Sequence, residues 1–445
     1  MIARSVGALG TPIFTRLLTP TEYGLFPLYN TWLSVITVIV TLELTGGVIY
    51  RGLQRYSGNK EKFLSSAFGL FLCIFTLFCA LYFAFSGVIN KITGLGTLIT
   101  SLMLAQIFAN TVIAFYTARA RYEYRYKSVA FLSLISSLGI PFVSVLLITV
   151  GNVRAEARII GSCVTLSLIA IPLIIEILRS SRRLFDKDTW GFLLRFNLPL
   201  LPHYLSMALI LRVGEITVGR FFGTEALGRY SVAISLGMSM TVITNGIISA
   251  LSPWLLRKTA AKETEKIRDL LLILTKALCI LCLVILAFAP ELLGIITPPE
   301  FHSALPAVYP LELSVIPMFL SGALVSCEMY YEKSATSAIP SIICAALSTL
   351  LSLTVLPRVD YRFVSIFVLA SYLLLSFLNT LTFKKLSGDT PLHVRKSAVS
   401  FALTIGYAAL LFLFRDVFLS RAVLVLPLLP TGFVLGRDIW TRIRE

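Results

Sequence analysis

Arg16-Leu-Leu-Thr-Pro-Thr-Glu-Tyr-Gly24-Leu-Phe26 returns in looser form as Arg220-Phe-Phe-Gly-Thr-Glu-Ala-Leu-Gly228-Arg-Tyr230. Arginine, glycine and an aromatic recur at equal spacing, offset by 204 residues. Each copy closes one long apolar segment and opens the next. Working outward from them, the chain divides into fourteen such segments: 2–18, 25–50, 63–86, 95–118, 128–150, 158–178, 191–222, 227–254, 269–293, 305–331, 336–356, 363–383, 397–414 and 422–436. Most are near the ~20 residues a helix needs to cross the hydrocarbon core. With 57% hydrophobic and 14% charged residues over 445 positions, the chain carries more apolar surface than a soluble fold of this size buries. The expected fold is all-α: a polytopic membrane protein of about fourteen transmembrane helices.

The offset spans six segments, an even number, so the two copies share one orientation across the bilayer, as in a parallel repeat. The predicted organisation is a six-helix lobe over 1–184, a second over 185–386, and two appended helices with a short tail over 387–445. Segment 7 begins near Gly191, which the offset maps to about thirteen residues before Met1; the sequence thus suggests a start upstream or an incomplete first helix.

Lys and Arg fall on alternate connections. Arg51, Arg55, Lys60 and Lys62 follow segment 2; Arg119, Arg121, Arg125 and Lys127 follow segment 4; Arg179, Arg182, Arg183 and Lys187 follow segment 6. The series continues through Arg257–Arg268, Lys333, Lys384–Lys396 and the tail, giving 25 basic residues against six on the opposite connections. The positive-inside rule places both termini in the cytoplasm. The same argument reassigns the net charge of +16. Spread over short loops at the membrane edge, these charges set topology and meet anionic lipid headgroups, so nucleic acid is not an expected partner. Seven cysteines lie inside predicted helices and read as small apolar residues. Three scattered histidines and the lack of a Gly-rich phosphate loop point to no metal, no cofactor and no enzyme activity. The short loops leave no room for a separately folded domain, which makes transport the expected activity.

Ionisable groups inside the segments are costly and need a partner or a wet cavity. Arg4, Arg16, Glu43, Arg195, Arg212, Glu215, Arg220, Arg229, Lys276 and Glu312 are of this kind. Arg212 and Glu215 lie one turn apart, and Arg220 follows about 80° around the same helix, a charged stripe on segment 7. The stripe either lines a substrate cavity or pins helices together. Arg16 and Arg220 sit near segment ends, where they can snorkel. Glu43 either carries a coupling proton or neutralises an arginine of segment 1, and Lys276 faces either a cavity or lipid. The candidate cavity residues are therefore Arg4, Arg16, Glu43, Arg212, Glu215, Arg220 and Lys276. Pro199 and Pro202 are expected to kink segment 7. Glu328 and Glu332, spaced i, i+4 near a segment end, are expected to be solvated.

At Thr15-Arg-Leu-Leu-Thr-Pro-Thr-Glu-Tyr-Gly-Leu-Phe-Pro-Leu28 the chain resembles the polysaccharide flippases of the multidrug/oligosaccharidyl-lipid/polysaccharide exporter superfamily. Phe196-Asn-Leu-Pro199, Arg212-Val-Gly-Glu215 and Gly223-Thr-Glu-Ala-Leu-Gly228-Arg-Tyr-Ser231 continue the likeness in the second half. Arg212 stands where such proteins often have Asn, Glu215 where they have Asp, and Ile216 where a basic residue is common. The resemblance implies translocation, by alternating access, of a lipid-linked oligosaccharide of the undecaprenyl pyrophosphate type across the cytoplasmic membrane. Membrane lipids, a polysaccharide polymerase and a chain-length regulator are the partners it implies. A drug or small-solute exporter of the same superfamily, or a membrane-embedded glycan polymerase or ligase, are the competing readings.

Overall fold

The computed structural model describes residues 2–151, 153–180, 183–331, 334–428 and 430. Among them eighteen α-helices and several 3-10 turns occur, with no strand. In chain order they are α1 (Ile2–Leu17), α2 (Pro20–Thr41), α3 (Gly47–Arg55), α4 (Lys60–Ala84), α5 (Ser86–Thr93), α6 (Thr97–Tyr122), α7 (Tyr126–Thr149), α8 (Ala157–Ser180) and α9 (Lys187–Asn197). The second half of the sequence forms α10 (Leu201–Gly237), α11 (Thr241–Ala260), α12 (Thr264–Ala287), α13 (Ala289–Ile296), α14 (Leu305–Glu328), α15 (Ser334–Thr354), α16 (Val364–Ser387), α17 (Val394–Leu413) and α18 (Phe418–Val425).

Ten of these spans are long and apolar enough to cross a membrane, and α10 with α11, bent by 46° at residues 238–240, supplies an eleventh. The all-helical membrane architecture expected from the sequence is what the chain adopts. Its fourteen segments map onto these spans except at segments 1, 7 and 14, and segment 2 is divided between α2 and α3. The described part of α1 is 16 residues long. Segment 14 runs past Val425 into residues outside those described, as do the tail arginines Arg437, Arg442 and Arg444. Segment 7 is interrupted: Pro199 and Pro202 lack the N–H that a regular helix uses, and a tightened 3-10 turn at Leu198–Leu200 separates α9 from α10.

The chain forms two compact units, Met1–Gly228 and Arg229–Glu445. In the first, α6 and α7 pack on α8, α1 on α7, and α4 on α2 and α9. Its core is aromatic: Phe68, Phe71 and Phe115 are fully buried and meet at ring-centroid distances of 5.7–6.4 Å. One face of α7 remains apolar and open, only 11% of its span being covered by protein, as expected where lipid is the solvent.

In the second unit α14 is the central helix. Its span is 78% covered, and it packs on α16, α11 and α12. Glu312 lies fully buried on this helix. Glu328, expected to be solvated, is buried as well, because α14 is enclosed to its last residue; Glu332 lies outside the described residues. The helices after residue 387 join this unit through ion pairs. Arg421, 3% exposed, grips Glu291 of α13 with both terminal nitrogens (2.5 and 2.7 Å) and also donates to Ala287 O. Arg268 pairs with Asp389 at 2.8 Å, and His393 meets Asp269 at 2.9 Å.

The repeated motif is a structural corner. Thr19 and Glu22 form a reciprocal capping box at the start of α2. Arg154 then ties this corner down, donating to Glu22 at 2.7 Å and to Leu17 O at 2.9 Å. Below it the Arg158 guanidinium is boxed by Phe26 (3.8 Å), Phe14 (4.4 Å) and Tyr23 (5.3 Å). In the second copy Gly223 takes the place of Thr19, and its φ of 83° breaks α10 where the loop before α2 breaks the first hairpin.

Candidate functional site

The charged stripe of segment 7 lies on α10. Arg212 Nη1 donates to both Glu215 oxygens, at 2.8 and 3.1 Å. Glu215, 4% exposed, also accepts from the Thr31 hydroxyl of α2 at 2.5 Å. The carboxylate is thus a three-way knot holding α2 to α10, while the Arg212 side chain keeps 35% of its surface open. A guanidinium has five N–H donors, and Glu215 engages only one nitrogen, so Arg212 retains donors for another acceptor.

The other sequence candidates fall elsewhere. Arg16 is exposed in the last turn of α1, and Arg220 is exposed on α10 at the equivalent repeat position. Glu43 was expected inside a continuous helix; instead α2 stops at Thr41, and Leu42 (φ 46°) and Glu43 (φ 52°) adopt left-handed backbone before α3 starts at Gly47. The Thr41 hydroxyl accepts from Glu43 N and the Thr41 carbonyl from Leu44 N, which satisfies part of the opened backbone. Lys276 is exposed on α12, in the second unit. Arg4 lies on α1, and its side chain is outside the described residues. Of the candidates, only Arg212 and Glu215 are joined by a described contact.

A basic site lies in the first unit between α3 and α9, built from Arg55 and Lys187, which the sequence assigns to topology, and from Arg195, which it places among the ionisable groups of segment 7. A cavity of about 770 Å³ is lined by Arg55, Tyr56, Lys187, Asp188, Phe192 and Arg195, among others. Two ties position α9: the Trp190 indole donates to Ser66 O of α4 at 2.9 Å, and Lys62 pairs at 2.6 Å with Asp186, the cap of α9. Lys62 and the Thr189 hydroxyl hold the Asp186 carboxyl down at about 2. On the other wall, the Phe63 ring covers Gly52, where a β-carbon would fall 1.9 Å from the ring. Arg51 lies over Phe196 at 5.0 Å, and Arg55 over Phe192 at 5.2 Å.

The signal was present in the sequence. Arg51 and Arg55 are spaced i, i+4 just after Gly46-Gly47, and Lys187 and Arg195 bracket Trp190 and Phe192. It was hidden because any basic loop residue satisfies the positive-inside rule. Among the described residues no group of three or more His, Cys, Asp or Glu could hold a metal ion.

A family model described as "Polysaccharide biosynthesis protein" matches residues 1–259. No curated protein matches the chain. Among solved structures, the lipid II flippase MurJ in an inward closed conformation aligns over 100% of this chain and 98% of its own, with a TM-score of 0.69 at 13% identity. An inward-facing multidrug resistance MATE transporter of the MOP superfamily aligns over 89% and 95%, with a TM-score of 0.69 at 12% identity. The Vibrio cholerae MATE transporter VcmN in its bent form aligns over 89% and 100%, with a TM-score of 0.52 at 16% identity. At these identities the likeness is one of fold.

Proposed function

The chain belongs to the polysaccharide biosynthesis protein family, and from that premise we propose that it translocates a lipid-linked oligosaccharide across the cytoplasmic membrane. One observation carries the reading. The family match falls on a chain that is almost entirely membrane helix, with short connections such as residues 150–156 and 388–393 between its spans. A protein of polysaccharide assembly built this way has its work inside the bilayer, and the step located there is moving the lipid-linked unit between leaflets. Arg212 supports the anionic class of substrate, since its free N–H edge suits a phosphate oxygen better than an ammonium would. The fold shared with a protein named for flipping lipid II agrees with it.

In this reading both termini are cytoplasmic, the two repeat-related lobes 1–184 and 185–386 alternate access, and no covalent chemistry is performed. A polysaccharide polymerase and a chain-length regulator act on the exported product. Deleting the gene tests the assignment. Lipid-linked repeat units should accumulate on the cytoplasmic face, and surface polysaccharide should fall. Unchanged surface polysaccharide with altered drug tolerance would assign the chain to drug export instead. Single units still crossing while long lipid-linked chains disappear would indicate a polymerase.

A further inference from the structure

We propose that the cavity between α3 and α9 is a loading site for the pyrophosphate headgroup of the lipid-linked substrate, engaged before Arg212 is reached. The proposal rests on the flippase reading above and on its orientation, which puts the 51–62 and 179–187 connections on the cytoplasmic side.

Three features argue for it. The first is unbalanced charge. Arg55, Lys187 and Arg195 line the walls, Arg51 lies over the lining ring of Phe196, and among the described residues none of the four makes an ion pair. Lys62 and Asp186, a few residues away, do pair, so acids are used nearby where a tie is needed. Asp188 is the single acidic residue on the lining.

The second is orientation. Arg51 and Arg55 rest near the faces of Phe196 and Phe192, and Tyr56 is edge-on to Phe192 at 6.1 Å. Aromatic faces restrain guanidinium groups without consuming their in-plane N–H donors, which stay available for phosphate oxygens. The third is size. Lys187 and Arg195 are eight residues apart on one helix, about 12 Å along its axis. With about 770 Å³ between the walls, the cavity offers cations over a longer stretch than one phosphate fills. A diphosphate is the matching anion.

Gly191 supplies a steric probe, because it lines the cavity and a β-carbon there meets nothing within 4 Å. Gly191→Leu therefore projects an apolar side chain into the cavity from a position whose β-carbon meets no neighbour.

The test uses the purified full chain in phosphatidylcholine nanodiscs, with inorganic pyrophosphate and inorganic phosphate as titrants and a C15 prenyl pyrophosphate as the lipid probe. Pyrophosphate should bind at least tenfold more tightly than phosphate, and the binding should weaken as salt is raised. Arg55→Gln and Arg195→Gln should each weaken pyrophosphate binding about tenfold, the Lys replacements less, and Gly191→Leu should abolish it. Melting temperatures of the variants should stay at the parent value, since the substituted groups are exposed to the cavity.

Equal affinity for phosphate and pyrophosphate would overturn the proposal, as would Gln variants that bind like the parent. Loss of prenyl pyrophosphate binding when phosphatidylglycerol replaces phosphatidylcholine would overturn it too, by showing a phospholipid headgroup site. Export measured in cells with the same variants separates the two readings. Normal binding in a protein whose deletion leaves export intact defeats the flippase assignment and keeps the site. Lost export on deletion, with cavity variants that bind and export normally, defeats the site and keeps the assignment.

Discussion

Gly24 and Gly228 are equivalent under the 204-residue offset, and they meet. A β-carbon on Gly24 would fall 1.8 Å from Thr224 O, and one on Gly228 would fall 2.1 Å from Pro20 O. Pro20 and Thr224 are themselves repeat-equivalent, so the contact is reciprocal, like an isologous interface folded into one chain. The obstructing atoms are backbone and cannot swing aside. Gly24→Ala and Gly228→Ala should each lower the melting temperature in detergent, at a cost of about 1–3 kcal/mol. The double variant should cost less than the sum, because one separation relieves both clashes. Gly87→Ala, where nothing lies within 4 Å, is the matched control. Equal melting of all four proteins would show that the close approach is dispensable.

Arg212 and Glu215 make a second prediction at the same scale. Arg212→Ala strands the buried Glu215 carboxylate and Glu215→Ala strands the Thr31 hydroxyl and a part-open guanidinium, so both should reduce folded protein, the first more than the second. Arg212→Gln combined with Glu215→Gln removes both charges and should recover the fold. Export should stay lost if Arg212 contacts substrate. Export at the parent level in that double variant would leave the pair a purely structural role.

Among the elements, the corner before α2 and the cap of α9 are held by charges at or beyond the ends of the spans. Arg154 serves the first, and Lys62 with Asp186 the second. The Asp186 carboxyl, lowered from 3.8 to about 2 by Lys62 and Thr189, contributes stability that is complete above its unfolded value and disappears as pH falls through about 2. Lys62→Ala should therefore lower the melting temperature modestly at neutral pH, where the half-buried pair is intact, and leave it at the parent value near pH 2, which flattens the acid-side fall. A pH–melting curve identical to the parent's would show that the tie carries no linkage. In the second unit, Arg421→Ala should lower the melting temperature, because it strips the partner from the part-exposed Glu291 and removes the donor to Ala287 O. Thermal melting of that variant beside the Arg421→Ala/Glu291→Ala pair would measure how much of the loss is an unpaired carboxylate.

For the whole molecule, orientation is the property most open to direct measurement. With Cys73 and Cys79 replaced by Ala, a cysteine at Asn59 should react only with reagents that enter the cytoplasm, and one at Glu300 should react from outside; both positions are exposed. The reverse pattern would invert the topology and remove the α3–α9 cavity from the cytoplasmic side. The large apolar surfaces left open on α7, α15 and α17 accord with a chain solvated by lipid around much of its periphery.

Hydropathy, loop charge and the internal repeat are local or additive along the chain, and they suffice for an all-helical membrane fold, its segment order and the family likeness. Arg16-to-Phe26 could be recognised as a motif for the same reason. What the motif does was decided only by tertiary structure: Arg154, Arg158, Thr224 and Gly228, which hold it, come from distant parts of the chain. The break at Leu42–Gly46 is marked in the sequence only by the Gly46-Gly47 pair, which apolar flanks outweigh, and neighbouring elements settle where the opened backbone finds partners. Thr31 on Glu215 was likewise invisible, since a hydroxyl in a span gives no hint of its acceptor. The basic wall at Arg55, Lys187 and Arg195 shows the same limit for charge. Sequence reveals how many cations lie at a membrane edge, and only the packing of α3 and α9 reveals which of them face one another across open space.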